Sequence, residues 1–455
     1  MELQRLLEQH ESSCVEFKQR LPAVEQVAEL LCAFANTAGG DLVVGVEDKT
    51  RKVVGIAQED ALLLEEQIAG AGATHVAPLV FPMISVVQSA GKHMLIAHVE
   101  AGYQRPYRVT TGRNAGKVFV RIGSTTRVAD AATIEMMELQ ARGLSWDQLP
   151  CPECRITDLD RSLLSEYARL RHARRGLPVP ASFDEPWLRR MRFATGSHAG
   201  LRPTRAAVLL FAPEPQQYYP QAGLEMARFR GAEARDFLDK RSAAGPIWKL
   251  YDEALAFLRR NLPIEAERRV EGRIERLAYP EAAFREFLVN ALCHRVYAGA
   301  TGPVRLAVFD DVVEITSPGA LPDGLEARDL GTGISVVRNP VIARAFSEMG
   351  LIEGWGTGIR LAQRELAARR LPPAQLLSRG FFFQVSSPWR WKGNLAERDT
   401  MILQMAAAKG SVTSSQVAAG LGCTERTARR YLAGLVKRSL LGKRGGTKGS
   451  TYVLA

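Results

Sequence analysis

An α+β protein of several domains is predicted, on three observations. The chain has 455 residues, enough for about three domains with substantial cores. Strand-like patterns of period 2 and helix-like patterns of period 3.6 are interspersed along it. Charge is uneven: the net charge is +11, and the last 65 residues, with eleven Lys/Arg against three Asp/Glu, carry +8. A tail domain this basic points to a polyanionic partner.

Composition is that of an ordinary globular protein. The opening run MELQRLLEQHESS is charged and has no apolar centre, unlike a signal peptide. No apolar run approaches the roughly 20 residues of a membrane span. A cytoplasmic protein with no membrane partner is expected. The six cysteines are scattered, as in a reduced compartment. Cys151-Pro152-Glu153-Cys154 is the one C-x-x-C, and no second pair follows to complete a zinc site.

Residues 1–140 read as the first domain. A short helical pattern covers 1–10. Val15 and Phe17 alternate with Glu16 and Lys18 as in a half-buried strand. Residues 23–36 carry the stripe Val27, Leu30, Leu31, Phe34 and Ala35, and Gly39-Gly40 ends that helix. Segments 42–46 and 53–56 suggest a hairpin, 59–68 a helix, and 80–87, 93–99 and 117–122 further strands. Arg121 precedes Gly123-Ser124-Thr125-Thr126-Arg127, a turn whose amides and hydroxyls suit a phosphate, or equally a solvated loop.

Residues 141–160 read as a linker. In the middle region, 161–270, a helix is expected at 160–175, buried strands at 204–215 and 224–230, and a long amphipathic helix at 236–261. This region shows no chemistry of its own and is expected to pack on the next domain.

The richest stretch lies in 271–392. After Pro280, the residues Phe284, Phe287, Leu288, Ala291 and Leu292 recur at helical spacing. Glu286, Asn290 and His294 stand four apart on a neighbouring face. An Asn oxygen suits Mg²⁺, and a Glu one turn away suits a water nucleophile. An ordinary surface helix can carry the same spacing. Segments 304–309 and 312–315 read as a hairpin about Asp310-Asp311, closed by Ser317-Pro318-Gly319. Later, Glu353-Gly354-Trp355-Gly356-Thr357-Gly358 leads into a helix. Alternate glycines before a helix N-terminus let backbone amides approach phosphate.

Residues 396–455 read as a winged helix-turn-helix. Helices are expected at 399–408, at 416–419 behind the capping box of Thr413 and Gln416, and at 425–438 behind Thr424. Strands at 440–443 and 451–454 flank a basic loop. Arg426, Arg429 and Arg430 face out near the start of the third helix, which would enter a DNA major groove. Lys443, Arg444 and Lys448 would reach phosphates from the wing. A protein-binding winged helix is the alternative, and the three outward arginines favour DNA.

Two stretches resemble known families. REFLVNALCHRVY, VEITSPGALPDG, VVRNPVIA and LIEGWGTGI, across 281–384, look like the divergent GHKL-type ATPase domain of bacterial Schlafen-like transcriptional regulators, an α/β sandwich. The resemblance implies ATP and Mg²⁺ as ligands, Glu286 as the catalytic glutamate, Asn290 as the magnesium ligand, and Gly354, Gly356, Thr357 and Gly358 at the phosphates. It places His294, Ser317 and Gly319 beside the nucleotide. Where the family reads adenine with an aspartate in D-x-G-x-G, this chain has Ser317, and Leu321 replaces the second glycine. A hydroxyl both accepts and donates, so poor adenine selectivity and slow or absent turnover are expected. VEFKQRL, AFANTAGGDLVVGVED and VFVRIGSTTRVA, across 11–130, resemble the Schlafen AlbA-like domain. In some members that domain cleaves RNA with three acidic residues, here Glu11, Glu16 and Asp48, holding Mg²⁺ or Mn²⁺ with Lys18 nearby. In many others it binds DNA, and Glu16 and Lys18 would then be a surface ion pair.

The expected function is an ATP-binding, DNA-binding transcriptional regulator whose nucleotide state modulates DNA binding, acting as a homo-oligomer. The alternative is a Schlafen-like metal-dependent nuclease of the phage-defence type, with RNA or DNA as substrate and the ATPase domain as its gate. A scaffold with a degenerate ATPase domain is a third reading. Enzymatic activity stays open between weak ATP hydrolysis and nucleic-acid cleavage.

Overall fold

The structure, a computed structural model, describes residues 11–455 apart from 49, 90, 197–199, 270–271, 300–301, 323–324, 326, 334–335, 354–355, 392–395, 439, 446–449 and 455. The helix expected at 1–10 therefore lies outside the described residues. The chain is a mixed α/β protein that divides into two units, Met1–Trp146 and Asp147–Ala455. Among the described residues no helix is long and apolar enough to cross a membrane.

The first unit is built on a four-stranded sheet, in the order Val15–Lys18, Gly40–Val44, Lys92–Val99, Met83–Ser89. The helix Val24–Asn36 buries Val27, Leu30, Leu31 and Phe34 against Leu42, Val44, Leu95 and Ala97 on one face. Val15, Phe17, Val43 and Met94 form a second core on the other. Gly39 ends the turn after the helix at φ +81°, where a Cβ would lie 2.6 Å from the carbonyl oxygen of Val99, so no other residue fits. The hairpin expected from 42–46 and 53–56 does not form. Gly40–Val44 instead pairs parallel with Val15–Lys18 and antiparallel with Lys92–Val99, and a single bridge joins Val46 to Val53. A strand between two neighbours satisfies both of its edges, which a two-stranded hairpin cannot do.

Asn36 holds this unit together at a point the apolar pattern does not show. It is fully buried. Its Nδ2 donates to the carbonyls of Tyr107 and Phe119, both at 2.9 Å, and its Oδ1 accepts from the Tyr107 amide at 2.7 Å. Two segments more than 70 residues away, one before the strand Arg108–Val109 and one at the start of the strand Phe119–Ile122, are thereby tied to the helix C-terminus.

The second unit centres on a six-stranded sheet, in the order Phe237–Ala243, Leu224–Phe229, Val304–Val308, Val312–Pro318, Phe382–Pro388, Gln375–Arg379. Val304, Leu306, Val308, Val313 and Ile315 are buried. Glu314 points the other way and accepts from Gln384 Nε2 at 2.9 Å and Ser386 Oγ at 3.3 Å. Helices Leu250–Asn261 and Glu281–His294 pack on the sheet, and Gly358–Ala368 packs on Glu281–His294. Asp147, inside the segment expected as a linker, is buried. Its Oδ2 accepts from the amides of Val341 (2.8 Å) and Ile342 (3.0 Å), at the start of the helix Pro340–Glu348.

Two expected elements differ. Residues 204–215 contain the helix Arg205–Phe211, not a strand; Thr204 opens it, accepting from the Ala207 amide at 3.3 Å. A short apolar run suits a buried helix as well as a buried strand. Residues 236–261 split into the strand Phe237–Ala243 and the helix Leu250–Asn261, with Gly245-Pro246 between them.

The C-terminal segment forms the helices Glu397–Lys409, Ser414–Leu421 and Glu425–Lys437 and the paired strands Leu441–Arg444 and Thr451–Leu454. They share a core that includes Ile402, Leu403, Val417, Leu432, Leu435 and Tyr452. Both halves of the Thr413/Gln416 capping box are present, at 3.2 and 3.0 Å.

Asn36→Ala should destabilise the first unit by about 3 kcal/mol, because it removes three hydrogen bonds to buried backbone groups and leaves the Tyr107 amide and Phe119 carbonyl without that side-chain partner. Urea unfolding of the full chain, followed by hydrogen exchange at Tyr107, measures this. An unchanged midpoint with intact protection would contradict it.

Candidate nucleotide site and nucleic-acid surfaces

The helix Glu281–His294 follows Pro280 and buries Phe284, Phe287, Leu288, Ala291 and Leu292, as its spacing predicts. Glu286 goes inside with them and is only 3% exposed. Its nearest cation is Arg285, at 3.9 Å. Burial raises its pKa above the ordinary glutamate value; Arg285 pulls it back and Glu353 adds to the rise. Asn290, one turn on, is half-buried, and its carboxamide has no hydrogen-bond partner among the described residues.

Gly358 opens the helix Gly358–Ala368 against this pair. A Cβ there would stand 2.3 Å from Glu286 Oε2 and 3.6 Å from Asn290 Nδ2. Glycine alone lets the helix N-terminus, with its partial positive charge, come this close to the carboxylate. Gly356, at φ +66°, borders the same cavity. The Thr357 hydroxyl lies 3.5 Å from the Glu353 carboxylate. Gly354 lies outside the described residues.

The cavity beside this helix measures about 150 Å³. Phe287, Ala291, Ile315, Leu330, Ile359 and Phe383 give it an apolar wall suited to a flat ring. Its polar groups are Asn290, His294, Ser317 and Arg338. Burial, then Arg338, pushes the His294 pKa down to about 4, so the imidazole is neutral. Gly319, at φ +106°, packs on Val296 and on the Arg338 guanidinium.

The last four carbonyls of a helix have no partner within it. Here side chains take all four. Ser317 Oγ donates to the Ala291 carbonyl at 3.0 Å, Tyr297 OH to Leu292 at 2.7 Å, Asn339 Nδ2 to Cys293 at 2.8 Å, and Arg338 Nη1 to His294 at 2.5 Å. Ser317 therefore directs its proton to the Ala291 carbonyl, inside the protein, and not into the cavity. Its hydroxyl presents lone pairs only. Arg338 and Asn339 were not singled out by their residue types. Their signal was the run VVRNPVIA, which had no role attached to it.

In the first unit the expected residues are placed differently. Glu16 pairs with Lys18 at 2.6 Å and with Arg121 at 2.8 Å. Arg121 is buried, also donates to the Ser12 carbonyl and Thr126 Oγ1, and lies over the Phe34 ring. It is a packing residue, and the expected phosphate contact from it is corrected. Glu11 accepts from the Phe17 amide at 3.3 Å, and Asp48 sits in an exposed turn. Glu11, Glu16 and Asp48 are not brought together: among the described residues, no group of three or more His, Cys, Asp or Glu could hold a metal ion. Ser124 is exposed on the turn between Phe119–Ile122 and Thr125–Val128, and Thr125 and Arg127 are exposed on the second of these strands.

Arg426, Arg429 and Arg430 are exposed on the first turns of Glu425–Lys437. Arg429 pairs with Glu425 at 2.8 Å, and Arg430 lies over Tyr431. Lys443 and Arg444 are exposed on the strand Leu441–Arg444. Among the described residues Arg426, Lys443 and Arg444 have no ionic partner. Lys448 lies outside them.

Residues 11–130 match the family model of the Schlafen AlbA_2 domain. Residues 301–386 match the HATPase_c_4 model, described as "Putative ATP-dependent DNA helicase recG C-terminal". The chain thus carries a Schlafen AlbA_2 domain and a RecG-like C-terminal HATPase_c_4 domain. The second match begins after the helix that holds Glu286 and Asn290, so their assignment rests on geometry. No curated protein matches the chain. Among solved structures, the DIP2311 protein from Corynebacterium diphtheriae is 18% identical, with 100% of this chain and 96% of that one covered at a TM-score of 0.44. The N-terminal domain of a RecG-related protein from Nitrosomonas europaea is 26% identical, covering 28% of this chain and 92% of that one at a TM-score of 0.22.

The buried Glu286 yields a stability test. Its native carboxyl holds a proton more tightly than the unfolded one, so its contribution to stability is present at low pH and is lost as pH rises through the native pKa. Glu286→Gln should therefore raise the melting temperature at pH 8, with the gain fading as the wild-type carboxyl protonates. A gain that does not change with pH would contradict this.

Proposed function

We propose that the chain is an ATP-binding, DNA-binding regulator. Nucleotide bound beside Glu281–His294 changes the DNA affinity of a C-terminal winged helix-turn-helix. The observation that carries the reading is the Gly358 contact, a helix N-terminus seated on a buried carboxylate next to an unpartnered carboxamide. The proposed division is an AlbA-like domain at 1–140, a linker at 141–160, a middle region at 161–270, a divergent GHKL-type sandwich at 271–392 and the winged helix at 396–455.

The residues present fit Mg·ATP. Asn290 offers a free oxygen to the metal, and the amides opening Gly358–Ala368 suit phosphate oxygens. Bound Mg²⁺ would neutralise charge on the phosphates. Glu286, with its pKa raised by burial, is the group that accepts a proton or orients a water. The apolar wall excludes water from the ring, and Ser317 offers it lone pairs. A switch requires that nucleotide bind the two DNA-affinity states unequally. For the first domain a binding role is favoured over cleavage, because Lys18 and Arg121 already neutralise Glu16.

Asn290→Ala should abolish Mg·ATP binding in calorimetry and leave DNA affinity deaf to ATP. Equal ATP affinity for the variant and the wild type would sink the nucleotide assignment.

At the DNA surface, Arg426→Ala should cost about 1–3 kcal/mol and relax sequence preference if it reads a base edge. Lys443→Ala should weaken all sequences alike and lower the salt slope by about 1. DNA affinity that survives deletion of 396–455 would reject the winged-helix reading.

A further inference from the structure

The strand Met83–Ser89 is the outer strand of the first unit's sheet. It pairs with Lys92–Val99 on one side and, among the described residues, with no strand on the other. Exposed sheet edges are normally kept from pairing by charged side chains, bulges or proline within the strand. The other outer strands of the four- and six-stranded sheets follow this rule. Val15–Lys18 carries Glu16 and Lys18, Phe237–Ala243 carries Asp239, Lys240 and Arg241, and Gln375–Arg379 ends on a cation. Met83–Ser89 has no charge and no proline, and no Asp, Glu, Lys or Arg occurs anywhere in 76–91.

The edge is also apolar at its surface. Leu79, Phe81, Met83 and Val86 are 53%, 75%, 59% and 42% exposed. Ile84 reaches the core on one face and Val87 the core on the other, so the strand is held firmly by its own sheet. The result is a rigid row of backbone donors and acceptors with an apolar border, which is the surface that β-strand addition uses.

We propose that Met83–Ser89 is a subunit interface, on which a second copy of this chain lays its own Met83–Ser89 antiparallel about a two-fold axis. Self-pairing is the occupant the composition favours. An antiparallel isologous contact centred on the strand sets Val86 against Val86, Ile84 against Gln88 and Met83 against Ser89, so apolar and small polar side chains meet and no charge is buried at the axis. Two sheets of four strands then become one of eight. Leu79 and Phe81 of each copy lie at the border of the new pair. The inference goes beyond the regulator reading and does not depend on it.

Sedimentation velocity on the full chain tests it. The wild type should be a dimer. Val86→Lys, at an exposed position near the strand centre, sets like charges across the axis and should raise the dimer dissociation constant by about tenfold or more. Val86→Glu should do the same, and an equal mixture of the two variants should restore the dimer. Met83→Lys gives an independent disruption, and an unchanged circular dichroism spectrum verifies folding. A monomeric wild type, or lysine variants that associate as the wild type does, would overturn the proposal. A mixture of the Lys and Glu variants that stays monomeric would overturn the two-fold pairing centred on Val86.

Discussion

The second unit depends on how one helix end is closed. Glu281–His294 leaves four carbonyls without helical partners, and Ser317, Tyr297, Asn339 and Arg338 each donate to one of them. An unsatisfied buried carbonyl costs about 1–3 kcal/mol, so these four residues are as necessary as the apolar stripe. They come from the central strand, from the loop after the helix and from the segment before Pro340–Glu348. Their convergence fixes three pieces of chain around the cavity before anything binds there. Two of the four, Ser317 and Arg338, are also its polar lining.

The buried acids show where the molecule has been left under-compensated. Asp147 is buried and receives two backbone amides at 2.8 and 3.0 Å. Glu16 is flanked by two cations. Glu286 is buried, and among the described residues its nearest charged side chain of opposite sign is Arg285, at 3.9 Å, beside the helix N-terminus at Gly358. A carboxylate without such compensation lowers stability at neutral pH. Function is the usual reason for a site to carry that cost.

Much of this was legible in the sequence. The stripe from Phe284 to Leu292 gave the helix, and the Thr413/Gln416 pair gave its capping box, because both signals are local. The resemblance of 11–130 to the Schlafen AlbA-like domain coincides with the family match. What was not legible depends on partners remote in sequence. The parallel pairing of Gly40–Val44 is set by Val15–Lys18 across an intervening helix. Arg121 looked like a phosphate ligand because its neighbours are small and polar, but Glu16 and Ser12, about a hundred positions earlier, enclose it. Ser317 looked ambidextrous because nothing nearby in the chain reveals the Ala291 carbonyl. The helix at 205–211 was misread because six consecutive apolar residues carry no period.

Asp147 sets where the chain can be cut. It is the first residue of the second unit, yet it caps a helix through the Val341 amide, 194 residues later. A fragment starting at the first regular helix of that unit, Arg161–Arg175, would look complete by its secondary structure. It would leave the Val341 and Ile342 amides buried without an acceptor, directly behind the Arg338 and Asn339 that close the cavity. A fragment beginning at or before residue 147 keeps the cap, so truncation limits here follow the hydrogen bonds of a remote helix more closely than the visible ends of elements.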